Sequence, residues 1–337
     1  MQRRAYRLKA GNVANLRLVT EELPEPAAHE VTVEVKAIGL NFADVFAIWG
    51  LYSATPKGEF TPGLEYSGVI LKAGSQVQNV KPGDRVIGVT RFGGYCSHLN
   101  IDSHYTLPLP QDWSFEEGAG YLVQVLTAYY ALSPLGNLQA GQTVLIHSAA
   151  GGVGILANRL AKALGAHTIG TTGSPAKVDL LKKEGVDEII VRSKNFGEQL
   201  DTALAGKELN LICECIGGEV LTAGFNRLAP QGRMIVYGAA QYASPGDRPN
   251  ILRLLWKFIR RPKIDAQRLA EDNRGILGFN LIYLYERVAL MYQLLAEIQA
   301  LNIGKPRVGH TFPFEKLPDA VRLFKTGKTT GKVVVTV

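Results

Sequence analysis

The sequence predicts an α/β chain of two domains, a β-rich one and a doubly wound parallel sheet with helices on both faces. Three observations lead there. The chain has 337 residues, too many for a single core. Its first third holds short alternating strands and only one short helical stretch. From about Tyr121 onward, strands and helices alternate, and repeated β-α-β units imply a parallel sheet.

The elements follow in order. "EVTVEVKAIGLN" alternates and sets Val31, Val33 and Val35 on one face. "GVILKAG" and "DRVIGV" are short strands, separated by a stretch whose Pro82-Gly83-Asp84 signals a turn. "FADVFAIWG" is the short helix, and "YLVQVLTAYYALS" opens the helical region. Strand "TVLIH" then leads to helix "GILANRLAKALG", strand "HTIGTT" to helix "PAKVDLLKKEG", and strand "EIIV" to helix "FGEQLDTALAG". Strand "LNLICEC", helix "EVLTAGFNRLA" and strand "GRMIVYG" complete the alternation. Gly165, Gly185 and Gly206 stand where helices end, the position that favours glycine.

"NILRLLWKFIRRPKIDAQRL" (250–269) is basic and aromatic through Trp256, Lys257, Phe258, Arg260 and Arg261. It reads as a helix packed by its apolar face on the domain or a dimer partner, in preference to a substrate lid or a membrane contact. "ILGFNLIYL" (Ile276 to Leu284) reads as the last strand of the sheet, at its edge. An uncovered apolar edge invites aggregation, so a homodimer with a sheet continuous through this strand is expected. A helix from roughly Glu286 to Leu301 follows, and "GKVVVTV" is a strand that returns to the first domain. The expected domains are residues 1–125, 126–282 and the return segment 283–337.

Composition narrows the function. The formal charge of +7 favours anionic partners but is spread along the chain, and does not point to nucleic acid. Three cysteines, Cys96, Cys213 and Cys215, argue against a disulfide framework and for a reducing compartment. No secretory signal and no run of about 18 apolar residues is seen, so a cytoplasmic protein is expected.

"HSAAGGVG" (His147 to Gly154) sits between a strand and a helix. Ala149-x-Gly151-x-x-Gly154 has the spacing of a Rossmann dinucleotide fingerprint, with alanine in the first position. Gly151 lets the backbone approach a pyrophosphate, and Gly154 lets the helix pack closely on the strand. The helix N-terminus offers free N–H groups and a positive dipole end. NAD sites place an acidic residue about 20 residues on, to bond the ribose. Here "TIGTTGSPAK" has none; it offers Thr171, Thr172, Ser174 and Lys177, with Arg192 after the next strand. Hydroxyls and cations suit a 2′-phosphate, so NADPH is the expected cofactor.

The motifs "GLNFADVFAIWGLY", "PGLEYSGVI", "KPGDRVIGV", "LTAYYAL", "HSAAGGVG" and "GFNLIYL" together resemble the zinc-free quinone oxidoreductases of the medium-chain dehydrogenase/reductase superfamily. The resemblance is strongest to the vesicle amine transport protein homologues and their bacterial relatives, through "LGNLQAGQTVLIHSAAGGVG" and "FPFEKLPDAVRLFKTGKTTGKVVV". It implies a GroES-like catalytic domain built from both chain ends, with the Rossmann domain inserted, and a homodimer. By motif position, Asn41 and Thr127 resemble residues beside the nicotinamide, and Ala150, Gly152 and Val153 resemble pyrophosphate contacts. Ser174, Lys177 and Arg192 resemble a 2′-phosphate site. Gly238, Phe279 and Leu281 resemble contacts to the nicotinamide half, and Lys332 a contact near the C-terminal edge. Phe46 departs from the pattern, because several quinone reductases carry tyrosine there. Tyr52 remains as a candidate proton donor beside solvent, so Asn41, Tyr52 and Thr127 are the candidate catalytic residues.

No metal is expected. The place after "AIGL" is Asn41 rather than cysteine, and Leu64 stands before Glu65 where zinc enzymes show histidine. Cys213 and Cys215 read as buried thiols, and His147 as a packed residue. Without a Lewis acid, hydride transfer suits electron-poor acceptors: quinones and α,β-unsaturated carbonyls. Two other readings stand beside this one, a free-standing enoyl reductase acting on thioesters and an NADPH-binding interaction protein with little turnover.

Overall fold

The computed structural model describes residues 1–337. The second domain is a six-stranded sheet in which every neighbouring pair is parallel. Its strands are β1 (Thr143–Ile146), β2 (His167–Thr172), β3 (Glu188–Val191), β4 (Leu209–Glu214), β5 (Leu228–Val236) and β6 (Gly275–Gly278). They lie in the order β3-β2-β1-β4-β5-β6. This order reverses direction beside β1, which is where α/β sheets bind ligands. The crossover helices end as expected, with Gly165, Gly185 and Gly206 all at positive φ (78°, 71° and 82°).

The first domain centres on Glu30–Gly39, which pairs antiparallel with Glu65–Ala73, His98–Asp102 and the C-terminal strand Lys332–Thr336. Val31, Val33 and Val35 are buried there, as the alternation requires, and Val333 to Val335 join them. The helix Val288–Ala300 packs on Leu122–Tyr130, and Leu294 and Ile298 share a core with Val144, Leu156 and Leu160 of the second domain. The chain therefore rejoins the first-domain sheet at Val308–Pro313, later than residue 283.

Two sequence expectations are corrected. The run Ile276–Leu284 is not one strand. β6 stops at Gly278, and Leu281–Tyr283 form a helical turn with Leu281 and Ile282 buried in the core. An apolar run encodes burial, and here the turn at Asn280 sends its second half inward. β6 does lie at the sheet edge. The basic aromatic segment is helical over Ile251–Ile259, but its apolar face is not packed on its own domain, so of the two covers expected for it only the dimer partner is left: no residue of the helix is buried in the single chain. No helix is long and apolar enough to cross a membrane.

Candidate active site

The glycine-rich turn is shaped by what a side chain would strike. A Cβ on Gly154 would lie 2.5 Å from both Ala149 Cα and Ser148 O, so only glycine lets the helix Gly152–Ala163 approach β1 this closely. The left-handed residue of the turn is Ser148 (φ 52°), which frees position 149 to be alanine. Gly151 caps the helix with no side-chain hydrogen bond, leaving the first-turn N–H groups available to an anion. Ala150 is buried and Val153 half-buried behind this turn.

Beside β2, Arg192 Nη1 donates to Thr171 Oγ1 at 2.7 Å, and a Cβ on Gly173 would come 3.4 Å from Arg192 Nη2. The rest of the guanidinium fork bonds no protein atom. Ser174 precedes the turn Pro175–Lys177 without capping it. Lys177 has partners that charge patterning did not foresee. Its Nζ donates to Gly327 O and Thr329 O, both at 2.6 Å. Burial, then the nearby Arg192 charge, lowers its pKa. Gly331 N donates to Ala150 O at 2.8 Å, so the loop 326–331 of the first domain is tied to both the lysine and the glycine turn.

Next to that turn lies a buried polar cluster. Asn41 Nδ2 donates to Glu65 Oε1 at 2.9 Å and Gly39 O at 3.2 Å. Asn41 Oδ1 accepts from Gln124 Nε2 at 2.7 Å and Lys332 Nζ at 3.0 Å. The amide is thereby saturated and fixed in orientation. Lys332 also bonds Glu65, an ion pair whose side chains are 3% and 1% exposed. Burial lowers the Lys332 pKa, opposed by Glu65 and Asp44. The lysine stem is admitted by glycines: a Cβ on Gly39 would lie 2.8 Å from its Cε, and one on Gly120 3.1 Å from its Cγ. A Cβ on Gly152 would lie 3.1 Å from Gln124 Cγ, so the glycine turn and the polar cluster touch. Lys332 is thus an interior residue beneath the glycine turn. Asp44 Oδ2 accepts from Asn41 N at 2.7 Å; burial, the largest influence, pushes its carboxyl up to about 7.

The other predicted residues spread around the cleft. Tyr52 Oη donates to Asn280 Oδ1 at 2.6 Å across the domains, and burial pushes its pKa up to about 12. Thr127 Oγ1 donates back to Val123 O at 2.7 Å. Phe279 lies edge-on to Tyr130, with ring centroids 5.0 Å apart. A Cβ on Gly238 would lie 3.1 Å from Cys215 Cβ, and Leu281 is only 7% exposed. His147 Nε2 lies 3.3 Å from Glu214 Oε2, and its Nδ1 is 3.0 Å from Thr171 Oγ1. Burial lowers His147 to about 3, so it stays neutral and braces the ends of β1, β2 and β4.

Glu65, Gln124, Asp44, Asn280 and Glu214 are site residues that the sequence reading missed. Asp44 lies within GLNFADVFAIWGLY and Glu65 within PGLEYSGVI, and a charged residue in an otherwise apolar stretch is the signal that marks each. The convergence of Asn41, Glu65 and Gln124 offers two amides and one carboxylate, and that carboxylate is already neutralised by an ammonium. Catalytic zinc takes thiolate, imidazole and carboxylate ligands with one open position, so this donor set does not fit it.

Residues 27–132 match the alcohol dehydrogenase GroES-like domain, and residues 152–296 the domain described as zinc-binding dehydrogenase. The human synaptic vesicle membrane protein VAT-1 homolog is 35% identical over 93% of this chain and 80% of its own length. The crystal structure of Escherichia coli quinone oxidoreductase complexed with NADPH superposes with a TM-score of 0.84 at 27% identity, over 100% of both chains. The CurK enoyl reductase superposes with a TM-score of 0.84 at 28% identity, over 100% of this chain and 99% of its own.

Proposed function

The chain belongs to the medium-chain dehydrogenase/reductase superfamily as an oxidoreductase related to quinone oxidoreductases and enoyl reductases, and from that premise we propose that it reduces a quinone or another α,β-unsaturated carbonyl with NADPH and without zinc. The observation that carries this reading is the contact between the glycine turn and the Asn41–Glu65–Gln124–Lys332 cluster. An anion cradle opens there onto a cluster whose only charges are already paired.

NADPH, when bound, supplies a hydride. Gly151, Gly152 and the N-terminus of the helix Gly152–Ala163, with Ala150, Val153 and Gly154 shaping the turn, would hold its pyrophosphate. Arg192, Ser174 and Lys177 would meet its 2′-phosphate, and Asn41, Thr127, Gly238, Phe279 and Leu281 would border its nicotinamide end. The chain's own contribution is orientation and exclusion of water. Tyr52 keeps its proton and spends it on Asn280, so it acts as a clasp across the cleft, and solvent protonates the product oxygen. The unpaired outer side of β6, with Leu277 38% exposed, supports a homodimer with a continuous sheet. The free cysteines support a reducing, cytoplasmic setting.

NADPH oxidation with a panel of quinones, enals and enoyl thioesters, in the presence of a chelator, tests this reading. Turnover of quinones or enals that survives chelation is expected. Turnover of enoyl thioesters alone would favour the second reading, which the likeness to the CurK enoyl reductase supports. Tight binding with no turnover on any acceptor would make this an NADPH-binding interaction protein. Arg192→Ala should weaken NADPH by about 1.5–3 kcal/mol, the scale of a charge-assisted contact, and leave NADH nearly unchanged. Lys177→Ala should weaken both cofactors, because it also releases the loop 326–331. Titration of each variant with both cofactors separates the two roles; equal losses of NADPH and NADH in Arg192→Ala would remove Arg192 from the phosphate site.

A further inference from the structure

Tyr285, just after the helical turn Leu281–Tyr283, is an interior tyrosine whose hydroxyl bonds no protein atom. It is 4% exposed. Other enclosed tyrosines commit their hydroxyls: Tyr6 to Phe314 O, Tyr66 to Thr106 Oγ1 and Tyr129 to Glu297 Oε2. Tyr95 Oη is also unpaired, but it is sealed in the first-domain core beside Asp44. Tyr285 differs in lining a cavity, with Val89, Leu107, Leu122 and Leu126 among its neighbours there. A buried hydroxyl without a partner carries a desolvation cost, which a partner from outside the chain would remove.

The inner end of that cavity abuts the polar cluster. Val89 is the register partner of Glu65, so the two side chains leave the sheet on one face. Leu122 precedes Val123, whose N–H meets Glu65 Oε2 at 3.3 Å. Leu281, at the nicotinamide end of the proposed cofactor site, shares a core with Tyr285. The outer end lies at Tyr292 and His104, both exposed, where Tyr292 Oη donates to His104 O at 3.1 Å. The cavity measures about 30 Å³, room for about one water-sized group. It can take the carbonyl end of an acceptor, and not a whole quinone ring.

The other candidate donors are already committed. Asn41 Nδ2 donates to Glu65 and Gly39, Tyr52 Oη to Asn280, and Thr127 Oγ1 to Val123 O. Tyr285 is free, and it keeps its proton. Burial raises its pKa well above the ordinary value, and Glu65, Tyr52 and Asp44 raise it further. It is therefore a donor of one hydrogen bond in apolar surroundings, where such a bond is stronger than in water. Reduction of an activated carbonyl creates the matching acceptor. The hydride from NADPH forms a C–H bond at the carbon β to the carbonyl, and NADPH is oxidised to NADP⁺. The conjugated π electrons shift, and one pair comes to rest on the carbonyl oxygen as an oxyanion. Solvent then supplies the proton that completes the product. A donor aimed at that oxygen gains strength as the charge develops, which lowers the barrier.

We propose, on the footing that the protein reduces activated carbonyls, that Tyr285 donates a hydrogen bond to the carbonyl oxygen of the acceptor at the inner end of this cavity.

Tyr285→Phe tests it with two readouts. In NADPH oxidation with a quinone and with an enal, kcat should fall roughly tenfold to a hundredfold, the range for a hydrogen bond to a charged group. NADPH affinity and the thermal midpoint should hold, because the lost hydroxyl pairs with nothing in the protein. The second readout needs no turnover: 4-nitrophenolate, an aryl oxyanion, should bind the NADP⁺-loaded wild type about tenfold or more tightly than the variant. Wild-type turnover that Tyr285→Phe leaves within about twofold, with the phenolate bound equally by both, would overturn the assignment and leave the reductase reading standing. A kcat loss that comes with a lower thermal midpoint and weaker NADPH would make Tyr285 a packing residue, which also overturns it. A wild type that turns over no acceptor would overturn the reductase reading and this assignment together.

Discussion

Lys332→Met should destabilise the folded protein by about 3–5 kcal/mol, the scale for removing one partner of a buried ion pair. The reason is what it leaves behind. Glu65 is 1% exposed, and without the ammonium its charge keeps only the Asn41 amide and the Val123 N–H, the latter at 3.3 Å. Lys332 is equally enclosed, so Glu65→Gln alone should cost a similar amount by stranding the cation. The double variant, Lys332→Met with Glu65→Gln, has no buried charge at this point and should recover most of the loss. The new amide at position 65 still presents an oxygen to Asn41 Nδ2, and methionine follows much of the lysine stem past Gly39 and Gly120. Urea unfolding of the four proteins at neutral pH measures the cycle. Additive losses would show that the pair is not coupled. The loss should also reach the proposed cofactor site, because Lys332 helps fix Asn41, and Gln124 beside them borders Gly152.

Local patterns in the sequence carried the architecture. Alternation placed Val31, Val33 and Val35 in the core, and glycine placed the helix ends at Gly165, Gly185 and Gly206. The spacing around Gly151 located the turn, since the steric demand that makes Gly154 a glycine is set by its own strand and helix. What stayed hidden depends on distant partners. Lys332 and Asn41 are 291 residues apart, and no periodicity encodes their contact. Lys177 looked like a cation in want of an anion, but its partners are backbone carbonyls, invisible to charge patterning. The pattern of Ile251–Ile259 defines an apolar face; it says nothing about what covers that face.

Asp44 should make the stability of the protein fall as pH rises from about 4 to 7. Its carboxyl is enclosed by Tyr95, Glu65, Lys332 and the Asn41 backbone, and burial raises its pKa from 3.8 to about 7. Asn41 N, Lys332 and Tyr95 pull it down, and Glu65 pushes it further up. In the window from 3.8 to about 7 the native state holds this proton while the unfolded chain has lost it. The contribution is therefore complete below the unfolded value and is lost as pH climbs through the folded one. At about 1.4 kcal/mol per unit, the fall is on the order of 2–4 kcal/mol. In carboxylates such as Glu21, Asp187 and Asp247, burial is outweighed by hydrogen-bonded cation partners that lower the pKa, so these groups act in the opposite sense, losing stability as pH falls. The wild-type profile alone would mix the two. Asp44→Asn isolates the effect, because an amide oxygen still accepts from Asn41 N but nothing titrates. The difference between wild type and Asp44→Asn in unfolding free energy should shift in favour of the variant by that amount between pH 4 and pH 8. Parallel profiles across that range would mean that Asp44 stays ionised in the fold, and that Lys332 and the Asn41 backbone outweigh its burial.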